Sequence, residues 1–337
     1  MAEKPVQYYI NEDSGRRRCL VCPHHCRLSD GQSGLCRVRV NKGGHLTALN
    51  YGEISSLALD PIEKKPLYHF YPGSTILSAG TWGCNLACPF CQNYRIAHQT
   101  PPTRFMDKDE LLEISLSCRR QGSIGLAFTY NEPAMWLEYI MDLAPLLRKQ
   151  GLKVVLVSNG YIDKAPLQDL LPFVDAFNID LKGFSDQFYQ RMCRAKLEPV
   201  LKTLETIVGK AHLEITNLLI PCENDSDAEI RAMARWLAEL DPQIVVHFSR
   251  YYPAYQLDLA PTPTGTLYRA ADIAREHLAH VYLGNLPGVA NDSYCPHCGK
   301  ILISRVAYEV QKTGLTQGKC RNCGHLIPYI EDSDELA

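Results

Sequence analysis

The chain has 337 residues, of which 46% are hydrophobic, enough for one large domain with small appendages. Its formal net charge of −2 gives no electrostatic reason to expect nucleic acid or an anionic membrane as a partner. No apolar run approaches the ~18 residues of a membrane-spanning helix, and the first residues lack the apolar core of a signal peptide. We therefore predict a cytoplasmic protein with no membrane partner.

Cysteines give the clearest organisation. The chain has 14 of them, and in a reducing compartment clustered thiols indicate metal ligands rather than disulfides. Three groups divide the chain into an N-terminal cysteine-rich lobe with a connecting segment (1–72), a central domain (73–288) and a C-terminal region (289–337). Three cysteines stand alone, and we assign them no role because an isolated cysteine is ordinarily a small hydrophobic residue: Cys118, Cys193 and Cys222.

The N-terminal group has spacings of two, three and nine intervening residues and supplies four thiols, so it can close a metal site alone. A structural zinc is the first interpretation and an auxiliary [4Fe-4S] cluster the second. In either, His24 or His25 is a possible replacement for one thiol. The four cysteines, called here the N-terminal quartet, are Cys19, Cys22, Cys26 and Cys36.

The segment 60–74 is polar, flanked by proline and rich in ionisable residues, among them Glu63, Lys64, Lys65 and His69. It has two interpretations of equal weight: a lining for the substrate entrance, or a solvated linker along the base of the domain.

Extended apolar runs then alternate with amphipathic helical patterns, which predicts an α/β fold with a parallel sheet or barrel of six or seven βα units. Ser226 with Glu229 predicts a capping box at a helix start, and Asp107 with Glu110 resembles it. The predicted strands are 75–79, 124–129, 153–157, 174–180, 213–220, 244–248 and 280–283.

A cysteine triplet in the run GCNLACPFCQN follows the first of these strands. Barrel chemistry is built from loops at this end of strands. Cys84, Cys88 and Cys91 can ligate only three irons of a cubane, which leaves the fourth iron open to another ligand. The alternatives are a zinc site that borrows His98 and a plain ferredoxin cluster completed by Cys118.

The triplet, Cys-x3-Cys-x2-Cys with Phe90 before the last cysteine, resembles that of the radical S-adenosylmethionine (SAM) superfamily. The resemblance implies a partial (β/α)6 barrel in which SAM chelates the open iron of a [4Fe-4S] cluster. It also implies reductive cleavage of SAM to a 5′-deoxyadenosyl radical, which abstracts hydrogen from a substrate.

Three later motifs, each at a predicted strand end, resemble the SAM contacts of that superfamily. TYNEP at 129–133 resembles its Gly-Gly-Glu-Pro element, with the glycines replaced. SNG at 158–160 resembles the Thr-Asn-Gly element of its activating enzymes, and DLK at 180–182 resembles their Asp-Leu-Lys element. The implied SAM-binding residues are Asn131, Glu132, Ser158, Asn159, Asp180 and Lys182.

Three further residues are candidates for the substrate pocket. Tyr130 lies within TYNEP, and His247 and Arg250 end the sixth strand, where a cation suits an anionic substrate or the SAM carboxylate. For His247, a buried and hydrogen-bonded core histidine is an equally weighted interpretation.

CPHCGK and CRNCGH near the C-terminus are two Cys-x2-Cys-x-Gly knuckles, the layout of a zinc ribbon. A redox-active or iron–sulfur site is the minority interpretation. The ribbon is expected to stabilise the end of the chain or to dock a partner. Its ligands, called here the ribbon quartet, are Cys295, Cys298, Cys320 and Cys323.

Runs along most of the chain, among them CLVCPHHCRLSDGQSGLCRVR and YGEISSLALDPIEKKPLYHFYPGS, resemble the radical SAM enzyme of the AmmeMemoRadiSam group, a relative of pyruvate formate-lyase activating enzymes. One departure is Cys222, where that group has a glycine in an IPGEND turn.

The sequence thus predicts a radical SAM enzyme with a [4Fe-4S] cluster, SAM and zinc. Its substrate is an unidentified small molecule, peptide or protein, and its electron donor is a reduced flavodoxin or ferredoxin. Nucleic acid is disfavoured by the charge. A glycyl-radical activase is the second hypothesis, and a non-catalytic iron–sulfur and zinc adaptor is the rival from another class.

Overall fold

A computed structural model describes residues 4–331, and its main feature is one mixed sheet. The spatial order runs from β8 to β1 without a crossover, and β2 to β8 are parallel while β1 is antiparallel to β2. All seven predicted strands are present. The strands are β1 (Ser56–Pro61), β2 (Thr75–Gly80), β3 (Ser123–Phe128), β4 (Lys153–Ser158), β5 (Ala176–Asp180), β6 (His212–Leu219), β7 (Val245–Arg250) and β8 (His280–Gly284).

A helix follows each of β2 to β7, so six strand–helix units precede the last strand. This arrangement confirms the predicted α/β fold. The main connecting helices are α1 (Lys108–Ser117), α2 (Leu137–Lys149), α3 (Lys164–Leu170), α4 (Leu197–Ile207), α5 (Asp227–Leu240) and α6 (Thr264–Arg275). Shorter helices cover Tyr94–Ala97 and Asp186–Phe188, and a single π-helical turn covers Tyr189–Cys193. None of the helices in the described chain is long and apolar enough to cross a membrane.

The predicted helix starts are present, with one difference. Asp107 accepts hydrogen bonds from the amides of Asp109 and Glu110, and Ser226 accepts one from the amide of Glu229. The Glu229 carboxylate does not return to Ser226 but accepts the amide of Phe184 at 2.6 Å. The second half of the capping box is thus used to fix the loop after β5.

Strand β1 comes from the segment assigned to a connection. Ser56 to Pro61 pairs residue by residue with β2 and lengthens the sheet by one antiparallel strand. The residues that follow are buried rather than solvated: Glu63, Lys65 and His69 are each at most 4% exposed. The interpretation of 60–74 as a solvated linker is therefore wrong, because these ionisable residues are shielded from solvent.

Small strands build the N-terminal lobe, which packs against α2. Arg39 is 1% exposed, and its guanidinium donates to the carboxylate of Glu138 on α2 at 2.5 Å. The strands of this part of the chain are Lys4–Pro5, Tyr9–Asn11, Arg17–Cys19, Arg27–Leu28, Arg39–Lys42, His45–Ala48 and Glu53–Ile54, the last paired with Arg104–Phe105.

The C-terminal region forms short antiparallel strands beside the amino ends of the parallel strands. Arg305 is 1% exposed and donates to the carbonyl of Tyr68 at 2.7 Å and the hydroxyl of Ser293 at 2.6 Å. Ile330 bridges to Phe70. The strands are Ser293–Tyr294, Ile301–Val306, Glu309–Gln311, Leu315–Thr316 and Lys319–Cys320. The prediction for 289–337 extends to residues 332–337, which lie outside the described range.

Candidate active site

A cavity of about 250 Å³ opens at the carboxyl ends of the parallel strands. A larger cavity, about 530 Å³, lies at the opposite end of the sheet, but no cysteine lines it. The smaller one holds the chemistry that the motifs predict, because side chains of four motifs meet there. Its lining includes Cys84, Cys88, Cys91, Tyr130, Asn131, Glu132, Asn159, Asp180 and Lys182.

The three cysteines of the triplet form one wall of this cavity. Burial raises the pKa of Cys91 to about 11 and raises that of Cys84 well above its ordinary value. The thiolate forms that bind iron are therefore disfavoured until a cation is present, so binding of iron would release protons. Three converging thiols with polar groups opposite fit a cluster with one iron left open.

A fourth thiol, that of Cys193, contacts this wall. Nothing in the sequence predicts that contact. Cys193 is fully buried, and its thiol is hydrogen-bonded to Cys88. It does not line the cavity, so it does not occupy the side on which an exogenous ligand would bind. Cys118 lies just before β3, at the amino ends of the strands. It is therefore at the wrong end of the sheet to complete a ferredoxin cluster with the triplet. His98, the zinc alternative, does line the cavity.

Glu132 is the best-organised carboxylate of the site. It is 2% exposed and accepts hydrogen bonds from the Ser158 hydroxyl at 2.8 Å and from the amides of Asn159 at 2.8 Å and Ala134 at 2.9 Å. Burial raises its pKa above the ordinary value although these three donors favour the charged form. Its position is thus fixed by two strand ends before any ligand arrives.

Asn159 connects this carboxylate to the cysteine loop. Its side-chain amide nitrogen lies 3.7 Å from the sulfur of Cys84 and 2.9 Å from Oδ1 of Asn85. An amide donor near a cluster sulfur is one of the ways in which a protein tunes the potential of the cluster.

Asp180 and Lys182 form an ion pair on the next strand end, with 2.7 Å between the carboxylate and the ammonium group. Burial opposes the charge of Lys182, but the Asp180 carboxylate outweighs it and raises the pKa of the lysine. Both charges face the cavity, which offers a ligand one cation and one hydrogen-bond acceptor.

Tyr130 stands where the superfamily element has glycine, and its backbone keeps a glycine-like conformation with φ of 73°. Its hydroxyl donates to the carboxylate of Asp60 at 2.7 Å, and the ammonium group of Lys65 lies 4.7 Å from the centre of its ring. These contacts hold a residue that is strained in this conformation. The neighbouring Asn131 donates to the carbonyl of Gly83 at 2.9 Å.

The structure places His247 and Arg250 outside the cavity lining. His247 is 3% exposed, and its Nε2 lies 2.6 Å from the carboxylate of Glu214 beneath the site. Arg250 donates to the carbonyl of Thr262 at 2.8 Å. The geometry of His247 is that of the buried core histidine, the other interpretation of this residue.

Sequence reasoning missed several polar residues of the cavity. Thr216 lies within β6, Ser249 lies near the end of β7 and Asn285 directly follows β8, and all three line the cavity. Their only sequence signal is their position in or just after a strand, which is too common to select them.

The ribbon quartet forms a second candidate metal site, remote from this cavity. All four sulfur atoms lie within 4.8 Å of one another. Cys295 and Cys323 are separated by 3.6 Å, as are Cys298 and Cys320. None of the 14 cysteines, all within the described residues, forms a disulfide.

Comparison with known proteins identifies a matching family model and several related sequences. A model of the Radical SAM superfamily matches residues 80–237. An uncharacterized protein of Methanocaldococcus jannaschii, MJ0808, is 39% identical over 97% of this chain and 99% of its own length. The pyruvate formate-lyase-activating enzyme of Clostridium pasteurianum is 25% identical over 45% of this chain and 65% of its own length.

Among solved structures, Streptococcus suis SuiB bound to S-adenosylmethionine is similar, with a TM-score of 0.51 and 15% sequence identity. The likeness covers 64% of this chain and 50% of that protein. At this identity the likeness concerns the fold.

Proposed function

Because the chain belongs to the radical SAM superfamily, and is therefore an enzyme of that class, we propose that Cys84, Cys88 and Cys91 hold its [4Fe-4S] cluster. SAM would bind in the cavity beside them. Membership of the superfamily sets aside the non-catalytic adaptor. The single observation that carries the assignment is the convergence of these thiols, the Glu132 carboxylate and the Asp180–Lys182 pair on one cavity.

When bound, the cluster and SAM supply a one-electron cleavage that yields a 5′-deoxyadenosyl radical for hydrogen abstraction. The residues of the chain orient the reactants. Glu132, held by Ser158 and Asn159, accepts the amino group of SAM, and Lys182 pairs with its carboxylate. Asp180 accepts hydroxyl donors of the ribose.

The other parts of the proposal concern the substrate side and the ribbon. Tyr130 and Thr216 also line the cavity and are proposed to face the substrate, while Asn131 is proposed to contact SAM. The ribbon quartet is proposed to hold zinc, because sulfur pairs at 3.6 Å match four thiolates around one ion. We also propose that the enzyme belongs to the AmmeMemoRadiSam group, that its sheet curves as a partial (β/α)6 barrel, and that a reduced flavodoxin or ferredoxin donates the electron.

The test is anaerobic. Reconstituted protein is reduced in the presence of SAM, and 5′-deoxyadenosine is quantified beside the Cys88→Ala variant. We expect product from the wild type and background from the variant. Cys222→Ala is the matched control, since Cys222 is exposed and does not line the cavity. Equal product from the wild type and Cys88→Ala would refute the proposal.

An activase is the second candidate, favoured by the similarity to the pyruvate formate-lyase-activating enzyme. It predicts that the enzyme generates a glycyl radical in a protein partner, which electron paramagnetic resonance detects. The test pairs the enzyme with glycyl-radical proteins of a host that contains this chain. A SAM-dependent signal in a partner would establish this function, and its absence from all of them would exclude it.

A further inference from the structure

The N-terminal quartet surrounds a small enclosed cavity beside the proposed SAM site. All four of its cysteines line this cavity, whose volume is about 10 Å³. Four thiolates around a single zinc ion each lie only ~2.3 Å from the ion, whereas four thiolates around a cubane lie further apart. The cavity shows that the four thiols converge on one space, so the distances between their sulfur atoms decide which metal group fits.

The spacing of the sulfur atoms distinguishes a single ion from a cluster, and the ribbon quartet provides an internal comparison. All of its sulfurs lie within 4.8 Å of one another. Among the described residues, which include the whole N-terminal quartet, no other three thiol, imidazole or carboxylate ligands meet that spacing. One protein thus contains a quartet at single-ion spacing and a wider quartet, and four cysteines around a wider space are the ligand set of a cubane.

We propose that the N-terminal quartet holds a second [4Fe-4S] cluster, ligated by four thiolates, which passes electrons to the cluster at Cys84, Cys88 and Cys91. With four cysteine ligands it has no open iron, so SAM does not bind it. Its electron-transfer role rests on the proposed function, whereas its existence does not.

The transfer is a one-electron exchange in which no bond forms or breaks. An external donor of the flavodoxin or ferredoxin class reduces the second cluster from the 2+ to the 1+ state. The second cluster returns to 2+ as the SAM-binding cluster passes from 2+ to 1+, so the external donor loses the one electron that the SAM-binding cluster gains.

Asn85 lies between the two sites. It lines the N-terminal cavity, while its chain neighbours Cys84 and Leu86 line the SAM cavity. Its carbonyl lies 2.7 Å from Nε2 of His24, within the N-terminal lobe, and its Oδ1 accepts the side-chain amide of Asn159 at 2.9 Å. A hydrogen-bonded path thus runs from His24 in the N-terminal lobe, through Asn85 and Asn159, to the sulfur of Cys84.

A glycine permits this close approach. Gly83 precedes the first cysteine of the triplet and has φ of 92°. A Cβ at this position would lie 2.6 Å from Cγ1 of Val38 and 2.9 Å from the carbonyl oxygen of Cys36. The triplet loop therefore rests directly on the backbone of the N-terminal quartet, as a short electron path requires.

The experiment separates the two sites by mutation. The variant Cys84→Ala/Cys88→Ala/Cys91→Ala keeps the N-terminal quartet, and we expect about four irons per chain with the Mössbauer signature of a [4Fe-4S] cluster that SAM does not perturb. The variant Cys22→Ala/Cys36→Ala should also keep about four irons, but with a spectrum that SAM does perturb. Cys118→Ala is the matched control and should keep about eight.

Zinc in the ribbon, about one per chain, reports that the triple variant is folded. A folded triple variant with a second zinc, or with no metal in the quartet, would overturn the proposal. If the triple variant does not fold, wild-type Mössbauer spectra decide: about eight irons, half of them unaffected by SAM, support the second cluster, and about four irons, all affected, contradict it. These counts do not depend on cleavage of SAM, so they are independent of the proposed function.

The electron path has its own measurement. Cys22→Ala/Cys36→Ala should form 5′-deoxyadenosine normally with dithionite but at least about tenfold more slowly with a flavodoxin-type donor. Wild-type rates with both reductants would show that the second cluster is not on the path.

Discussion

Glu132, in the loop after β3, accepts a hydrogen bond from the hydroxyl of Ser158 at the end of β4, with 2.8 Å between the two oxygens. The same carboxylate accepts the amide of Asn159, whose side chain approaches the sulfur of Cys84. Three motifs that are distant in sequence are thereby joined by one buried acid. The site is preorganised by hydrogen bonds between strand ends rather than by the ligand.

Replacement of Glu132 by glutamine tests this relationship. The amide group of Glu132→Gln cannot accept from all three donors and carries no charge for the amino group of SAM. We expect SAM to bind about tenfold more weakly, since a hydrogen bond to a charged group contributes roughly 1.5–3 kcal/mol. Equilibrium binding of SAM to reconstituted protein is the measurement.

Iron content should not change in Glu132→Gln, because Glu132 is not one of the proposed iron ligands. Glu113→Gln, an exposed position on α1, is the control. Unchanged SAM affinity in Glu132→Gln would remove Glu132 from the binding site.

Cys193 and Cys88 contact each other but should respond differently to mutation. Cys193→Ala leaves all three proposed iron ligands in place and should retain both the SAM-perturbed cluster spectrum and 5′-deoxyadenosine formation. Cys88→Ala should lose both. A SAM effect on the cluster spectrum that is absent from the wild type and appears in Cys193→Ala would mean instead that Cys193 is the native fourth ligand.

Cys222 occupies a turn in the left-handed conformation, with φ of 62°. Its amide donates to Oδ1 of Asp225 at 2.9 Å, which fixes the turn. Because a residue with a side chain is strained there, Cys222→Gly should raise the free energy of unfolding by about 1 kcal/mol. Chemical denaturation measures the change. Cys222→Ala is the matched control and should be near neutral, and equal stability of the glycine and alanine variants would contradict the strain.

Asp60 neutralises a buried lysine beneath Tyr130. Its carboxylate lies 2.8 Å from the ammonium group of Lys65, which is 3% exposed. Asp60→Asn leaves that cation without a partner and should lower the free energy of unfolding by about 3 kcal/mol. The exposed Asp272→Asn, whose partner Arg275 is also exposed, should change it by less than about 0.5 kcal/mol.

This loss should depend on pH. Burial opposes the charge of Asp60, but hydrogen bonds from Lys65 and Tyr130 outweigh it and lower its pKa below the ordinary 3.8. The advantage of the wild type over Asp60→Asn is therefore complete well above pH 3.8 and shrinks as the pH falls through and below that value. A pH-independent difference would show that packing, not charge, explains the loss.

Local sequence patterns predicted the parts of the fold that depend on local chemistry. Each predicted strand agrees with the observed one to within two residues at its ends, because apolar runs bounded by turn residues specify buried parallel strands. The ligand motifs were predicted because their spacing is short and their place at strand ends is systematic.

Long-range pairing explains what the sequence did not reveal. His247 faces Glu214 because both project toward the same side of adjacent strands, which depends on register. The contact of Cys193 with Cys88 and the closeness of Asn85 to His24 join segments far apart in the chain. No local pattern encodes such contacts.

The buried guanidinium of Arg305 has a consequence for how the enzyme would fail. It lies 4.5 Å from the ring centre of Tyr68 and 3.9 Å from the carboxylate of Glu63. The ribbon therefore covers the base of the sheet, at the amino ends of its parallel strands. If the ribbon quartet holds zinc, as proposed, unfolding of the ribbon on loss of that zinc would leave the Glu63 carboxylate without its cation and expose the base of the sheet to water. A chelator selective for zinc would then inactivate the enzyme by destabilising the sheet. The iron–sulfur chemistry would be lost only as a result of that unfolding.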